Sequence, residues 1–185
     1  RNGVLDMGGS DFRADYTPHT ESGGVVVCGE QARFIMDGGV IRSAKVLAST
    51  GGVRVCCNAS FVMNGGTITD IHNESQTDAG PVLVYAGNTL LGKGAASFTM
   101  NGGVIENNTN YRGGGVHVTG KEYTYRASME MNGGIIRNNT CNGFQSAKNY
   151  ASGGGGGIYI SGNAQVVMND GKIVGNTVNG GQGGG

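Results

Sequence analysis

The sequence predicts an all-β protein, a right-handed parallel β-helix of about six rungs with three short strands in each rung. Two observations carry this prediction. First, one phrase recurs along the 185-residue chain at intervals of 27 to 37 residues. Second, large apolar residues alternate with smaller or polar ones inside each copy, which is the periodicity of a strand with one buried face. The copies read FIMDGGVIR from Phe34, FVMNGGTIT from Phe61, FTMNGGVIE from Phe98, MEMNGGIIR from Met129 and VVMNDGKIV from Val166.

Each copy is expected to contain two strands around a sharp corner. Residues 98–100 and 104–106 alternate as strands, and the Asn-Gly-Gly at 101–103 tolerates the positive φ of a tight turn. A β-propeller is the structural alternative, but the shortest interval, 27 residues, is too short for the four antiparallel strands of a blade. A third strand, with β-branched residues two apart, precedes each copy at 24–27, 52–55, 81–84, 115–118 and 157–160.

The chain is expected to be a single β-helix domain, 1–185, and a fragment or module of a longer repeat protein. Residues 1–22 are assigned to a partial first rung and a polar loop, and residues 178–185 to the truncated start of a further rung. Open terminal rungs are templates for further strand pairing, so either neighbouring sequence in the parent protein caps them or the coil ends associate with further copies of the chain.

Composition narrows the range of functions. The formal net charge is zero, with 13 Lys+Arg against 13 Asp+Glu, and no basic cluster is present, so binding to nucleic acid is not expected. No apolar run reaches the roughly 18 residues of a membrane span, so membrane insertion is not expected either. The glycine runs near 113 and 153 lack the strand-to-helix context of a nucleotide loop. Neither a cofactor nor a metal is expected.

The outward side chains of the strand that precedes each copy form the candidate ligand-binding face. If the alternate valines point inwards, one outward column is Val26, Arg54, Leu83, His117 and Tyr159, and the next is Cys28, Cys56, Tyr85, Thr119 and Ser161. Aromatic rings stack on the apolar faces of ligands. The predicted binding residues are therefore Arg54, Tyr85, His117 and Tyr159, with the nearby Tyr123 and Tyr125. The alternative is an ordinary solvated surface.

The four cysteines allow two interpretations. Cys28 and Cys56 fall in one column of adjacent rungs, where Cα atoms about 4.8 Å apart suit a disulfide. The alternative is four reduced thiols, with Cys57 and Cys141 having no evident partner. A zinc site is not expected, because Cys56 and Cys57 are adjacent rather than at ligand spacing and no second Cys or His cluster follows.

The corners carry asparagines and insertions. On stacking, Asn108, Asn139 and Asn176 are expected to align as a ladder of amide hydrogen bonds, which is a structural device. The insertions that make the repeat intervals unequal fall at corners, where loops often carry binding. One insertion contains Asp70, His72 and Glu74, a set that suits either a bound cation or a solvated loop.

Two short motifs recur along the chain, a Gly-Gly tetrapeptide and Phe-x-x-Asn. They are GGVV at 23–26, GGVR at 51–54, GGVH at 114–117, GGIY at 156–159, FVMN at 61–64 and FTMN at 98–101. Together they resemble the passenger repeats of polymorphic outer-membrane proteins and the repeats of adhesin-like proteins of gut bacteria. The resemblance implies an autotransporter-like β-helix, secreted or on the bacterial cell surface, that binds a glycan or a host-surface protein.

The leading hypothesis for function is therefore a non-enzymatic, adhesin-like segment. One alternative is a fibre-forming protein whose coil ends stack. Another is a polysaccharide lyase or hydrolase, since the architecture resembles that of pectate lyases and polygalacturonases. Such enzymes need clustered carboxylates on one strand face, whereas the outward columns here place Glu106 beside Arg137, an opposite-charge pair.

Overall fold

Within the residues that the structure describes, the protein is all-β and contains no helix. Those residues therefore include no helix that is long and apolar enough to cross a membrane. The computed structural model describes residues 3–6, 11–12, 24–42, 45–46, 52–73, 80–145, 151–152 and 154–179. The other residues of the predicted partial rung and loop at 1–22 lie outside the described part, as do residues 180–185.

The strands are short, and most follow the repeat. In chain order they are β1 (Val4–Asp6), β2 (Asp11–Phe12), β3 (Val25–Cys28), β4 (Arg33–Met36), β5 (Val40–Arg42), β6 (Lys45–Val46), β7 (Val53–Cys56), β8 (Ala59–Met63), β9 (Thr67–Thr69), β10 (His72–Asn73), β11 (Val82–Thr89) and β12 (Gly92–Gly94). They continue with β13 (Ala96–Met100), β14 (Val104–Glu106), β15 (Thr109–Asn110), β16 (Val116–Gly120), β17 (Ala127–Arg137), β18 (Thr140–Cys141), β19 (Phe144–Gln145), β20 (Ala151–Ser152), β21 (Ile158–Gly162), β22 (Ala164–Val174) and β23 (Thr177–Val178).

Three sheets collect equivalent strands from successive repeats. Sheet 1 has nine strands in the order β1, β5, β9, β14, β17, β13, β8, β4, with β22 also paired to β17. Sheet 2 has the order β2, β6, β10, β15, β18, β23, and sheet 3 the order β21, β16, β11, β7, β3. All pairs within these orders are parallel. Two antiparallel pairs occur among the described residues, and both are local: β11 with β12, and β19 with β20.

Equivalent residues of neighbouring repeats lie side by side. Phe61 pairs in register with Phe34 on one side and Phe98 on the other. The rings stack with centroids 5.1 Å and 4.7 Å apart and planes within 17° of parallel. The methionines and isoleucines of sheet 1 and the alternate valines of sheet 3 complete one continuous hydrophobic core. The core thus runs through the stack of repeats rather than lying within any one of them.

The Asn-Gly-Gly corner is shaped by the repeat that precedes it. Gly103 has a φ of +86°, and a Cβ there would lie 2.6 Å from the Cε of Met63, so glycine is required for both conformation and space. In the last copy Asp170 replaces the first glycine of the corner and Gly171 keeps the second, where the pairing of β17 with β22 is irregular. The same contact joins Gly66 to Met36, Gly134 to Met100 and Gly171 to Met131.

Two features differ from the expected three strands per repeat. The asparagine-rich corner forms two-residue strands of its own, which pair in sheet 2. In the later repeats the two strands around the Asn-Gly-Gly corner join into the single strands β17 and β22, each of 11 residues. The two-residue strands form because the backbone keeps hydrogen bonding to the preceding repeat beyond the asparagine corner, as Thr109 N does to Ile71 O at 2.8 Å. The strands β17 and β22 pair with each other on both sides of the Asn-Gly-Gly corner.

Candidate functional site

The predicted ligand-binding face has the expected register but not the expected exposure. Arg54 pairs with Val26 and Leu83, and His117 pairs with Leu83 and Tyr159. Arg54 is only 6% exposed, and Leu83 and His117 are 0% exposed. The prediction of an open strip was therefore wrong at Arg54 and His117.

Two segments that lead into strands of sheet 3 pack against His117. A Cβ added to Gly80 would lie 3.2 Å from the Cβ of His117, and one added to Gly113 would lie 3.2 Å from its Cα. The backbone on either side of His117 is thus in close contact with it. Alternation identifies which side chains point away from the core, but it does not reveal that another segment packs against them.

The side chains of this face contact one another across strands. The guanidinium carbon of Arg54 lies 5.3 Å from the ring centroid of Tyr85. The His117 ring lies 4.9 Å from the ring of Tyr159, tilted by 39°, and its Nε2 is 3.2 Å from Ser161 Oγ. These contacts join neighbouring repeats. A ligand-binding role for the half-buried Tyr85 and Tyr159 stays a prediction.

Tyr123 and Tyr125 lie on the loop between β16 and β17. Tyr123 is fully exposed, whereas Tyr125 is half-buried and packs against the core. Asn163 Nδ2 donates to the backbone oxygens of both tyrosines, at 3.0 Å each. At the end of the loop Arg126 Nη1 donates to Gln165 Oε1 at 3.1 Å. The next repeat therefore holds the loop while the loop presents Tyr123 to solvent.

The hairpin of β11 and β12 adds exposed leucines at a related position. The hairpin connects sheet 3 to sheet 1, and the Tyr123 loop makes the equivalent connection in the next repeat. Lys121 N, at the start of the Tyr123 loop, donates to Ala86 O on β11 at 2.9 Å. Leu90 and Leu91, at the hairpin turn, are 65% and 48% exposed. We refer to Leu90, Leu91 and Tyr123 as the corner ridge. The sequence predicted an insertion at this corner, but it did not indicate that Leu90 and Leu91 are exposed there.

Three thiols meet beneath the same hairpin. Cys28 and Cys56 are paired in register at the ends of β3 and β7, and Cys57 follows with a φ of +58°. The three Sγ atoms all lie within 4.8 Å of one another. Cys56 and Cys57 are buried and Cys28 is half-buried. We refer to these residues as the cysteine cluster, which the sequence did not predict as a group of three.

The surroundings of the cysteine cluster are polar on one side and desolvated on the other. Thr89 Oγ1 lies 3.4 Å from Cys57 Sγ, and the Cys28 thiol points to Leu91 O at 3.7 Å. Burial raises the pKa of Cys56 to about 12; Cys57 adds to the rise and Arg54 opposes it. All four cysteines stand as thiols in the structure, and a disulfide between Cys28 and Cys56 stays a prediction.

Two asparagine ladders run along the stack. In the buried ladder, Asn108 Nδ2 donates to Asn139 Oδ1 at 2.9 Å, and Asn139 Nδ2 donates to Asn176 Oδ1 at 3.0 Å. An exposed ladder follows the Asn-Gly-Gly corner. It was not predicted, although an Asn or Asp recurs before the glycines in every copy and indicates such a ladder. Its members are Asp37, Asn64, Asn101, Asn132 and Asn169.

An ion pair joins two strands of sheet 1. Arg137 Nε donates to Glu106 Oε2 at 2.7 Å, from β17 to β14, with side chains 44% and 20% exposed. Partly exposed pairs of this kind contribute about 0.2–1 kcal/mol. Of the polar set Asp70, His72 and Glu74, the structure describes the first two, and Glu74 lies outside the described residues.

No protein-family model matches this chain, and no curated protein or solved structure matches it either.

The described features divide by what their side chains do. The ladders, the ring stack and the ion pair join one repeat to the next. The corner ridge presents apolar and aromatic groups outward, and the cysteine cluster gathers three soft sulfur donors. These last two features are the candidates for binding.

Proposed function

We propose that the chain is a segment of a right-handed parallel β-helix of about six rungs, with one repeat in each rung. Three observations support this: successive copies pair in parallel and in register, equivalent strands collect in three sheets, and the core is continuous between repeats. A repeat with one apolar face per strand buries that face only by stacking on its neighbours. The parallel stack therefore suits an elongated scaffold that carries its variation at the corners.

We further infer that the segment belongs to a bacterial cell-surface or secreted adhesin-like protein and binds a glycan or a host-surface protein without catalysis. The observation that carries this proposal is Tyr123, fully exposed on a loop whose backbone is held by Asn163. An ordered loop loses little conformational freedom on binding, and a tyrosine ring packs on either a sugar face or an apolar pocket. Leu90 and Leu91 present further exposed apolar groups on the equivalent connection of the preceding repeat.

Replacing Tyr123 with alanine is expected to weaken binding to a glycan array, or to isolated host-surface proteins, by about tenfold or more, as for a central aromatic anchor. The matched control is Ile35→Ala, because Ile35 is 47% exposed on β4 of sheet 1, away from the corner ridge. Circular dichroism checks that both variants keep the parent's strand content. Equal binding by the parent and the Tyr123 variant would contradict the proposal.

Self-association is the second candidate function, and one observation favours it. Ile160 and Met168 occupy inward positions of the last described repeat and are 48% and 47% exposed there. Stacking a second chain on this end would bury them as their equivalents are buried in earlier repeats. We expect light scattering over a concentration series to show end-to-end growth, with rods in electron micrographs, and Met168→Glu to suppress both. A parent chain that stays monomeric throughout would exclude this function.

A polysaccharide lyase or hydrolase has less support from the described residues. Its carboxylate candidate, Glu106, accepts a hydrogen bond from Arg137 at 2.7 Å, which supports a structural role for that carboxylate.

A further inference from the structure

The cysteine cluster serves neither the hydrophobic core nor the proposed binding role of the corner ridge. We propose that Cys28, Cys56 and Cys57 form a binding site for one soft, thiophilic metal ion, with Cu(I) as the best-matched ion. The site combines two neighbouring repeats, because β3 supplies one sulfur and the turn after β7 supplies the other two.

The spacing of the sulfurs suits a bridging ion. Three thiolates around a metal at about 2.3 Å are about 4.0 Å apart when the arrangement is trigonal. The Sγ atoms of the cluster lie within 4.8 Å of one another, so closure needs movements of about 1 Å at most, which side-chain torsions supply. Cys57 joins the other two because its φ of +58° turns the chain immediately after Cys56.

The same geometry favours a metal over a disulfide between Cys28 and Cys56. Residues paired in register on parallel strands point in the same direction, so their Cβ atoms are separated by about the strand spacing of 4.8 Å. A disulfide needs Cβ atoms roughly 3.5–4.5 Å apart. A metal ion joins sulfurs that are farther apart than a direct bond allows, and it also uses Cys57.

The ligand set selects the kind of ion. Three sulfurs form a soft site, and thiolates select ions such as Cu(I). Zinc prefers four ligands, whereas the closest further donors here are oxygens: the Thr89 hydroxyl and the Leu91 carbonyl, 3.4 Å and 3.7 Å from the nearest sulfurs. The hairpin turn covers the site, and the half-buried Cys28 marks its accessible side.

The test is an anaerobic titration in which the reduced full chain competes with a coloured Cu(I) chelator. The parent is expected to withdraw one Cu(I) per chain. Cys28→Ser and Cys57→Ser are expected to lower the affinity by at least about 100-fold, since even groups that only orient a ligand are worth 10- to 100-fold. The matched control is Cys141→Ser: this thiol is also buried but lies on β18 of sheet 2 and donates to Tyr111 O, and its replacement is expected to leave Cu(I) affinity unchanged.

Four results of the titration would overturn the proposal: no withdrawal of Cu(I) from the chelator, an affinity unchanged by Cys57→Ser, an equal loss in Cys141→Ser, or uptake of Zn(II) but not Cu(I). Mass spectrometry of the chain before reduction separates the disulfide alternative, because a Cys28–Cys56 bond removes two hydrogens from the chain. That loss without metal uptake would also overturn the proposal. Thermal unfolding of each variant confirms that it is folded. The outcome of the Cu(I) titration does not depend on whether the corner ridge binds a ligand.

Discussion

Asn139→Ala is expected to destabilise the protein by about 3–5 kcal/mol, because it leaves several buried polar groups unsatisfied. Asn139 is 0% exposed and uses its whole amide. Its Oδ1 accepts from the Asn108 backbone N at 3.2 Å and from Asn108 Nδ2 at 2.9 Å. Its Nδ2 donates to Ile105 O and to Asn176 Oδ1, each at 3.0 Å. Since domains of this size are stable by only about 5–15 kcal/mol, the loss is a large fraction of the total.

Asn101→Ala is the matched control, since Asn101 is also in the middle of a ladder but is exposed. It donates to Asn64 Oδ1 at 2.8 Å and accepts from Asn132 Nδ2 at 3.1 Å. Water replaces both bonds, so we expect a loss of about 0.5–1 kcal/mol. Urea unfolding followed by circular dichroism measures both variants. Equal shifts of the two unfolding midpoints would show that burial of the inner ladder does not determine its contribution.

Phe61→Ala is expected to cost a similar amount, about 3–5 kcal/mol, through loss of apolar burial and the cavity left behind. Phe61 is 0% exposed and its ring lies between those of Phe34 and Phe98. Deleting the ring removes two stacking contacts as well as buried surface. It also separates the part of the core that lies before this repeat from the part that follows.

Phe34→Ala is the control for position in the stack. Phe34 is half-buried and has one ring neighbour, Phe61, so we expect a clearly smaller loss of stability in the same urea experiment. A loss as large as that of Phe61→Ala would mean that stacking on both sides contributes little, and that hydrophobic transfer alone sets the cost.

The sequence predicted the strands and their register well because both follow from short-range patterns. Residues that alternate in size report the buried face of a strand, and a residue repeated at one position, such as Ile105, reports which neighbours pair with it. The pairing of Ile105 with Ile68 and Ile136 follows from that repetition alone. The all-β, mostly parallel character of the described residues therefore agrees with the expectation.

The parts that the sequence did not predict depend on how the irregular segments fold back. His117 looked exposed because it alternates with valines, but the segments that precede the strands cover it. The cysteine cluster depends on a positive φ at Cys57 and on the cover provided by the β11 and β12 hairpin. Neither has a periodic signal, because insertions differ in length and composition from one repeat to the next.

The contact between each corner glycine and the methionine one repeat earlier bears on how the protein can change over evolution. A Cβ at Gly103 would meet both the Cε of Met63 at 2.6 Å and the backbone oxygen of Gly66 at 2.8 Å, so the preceding repeat fixes this glycine. Because a shorter residue at Met63 leaves the backbone contact and the positive φ in place, the glycine should persist in copies where the methionine changes. The effective unit of inheritance is therefore the junction between two repeats, and duplicating a whole repeat preserves it.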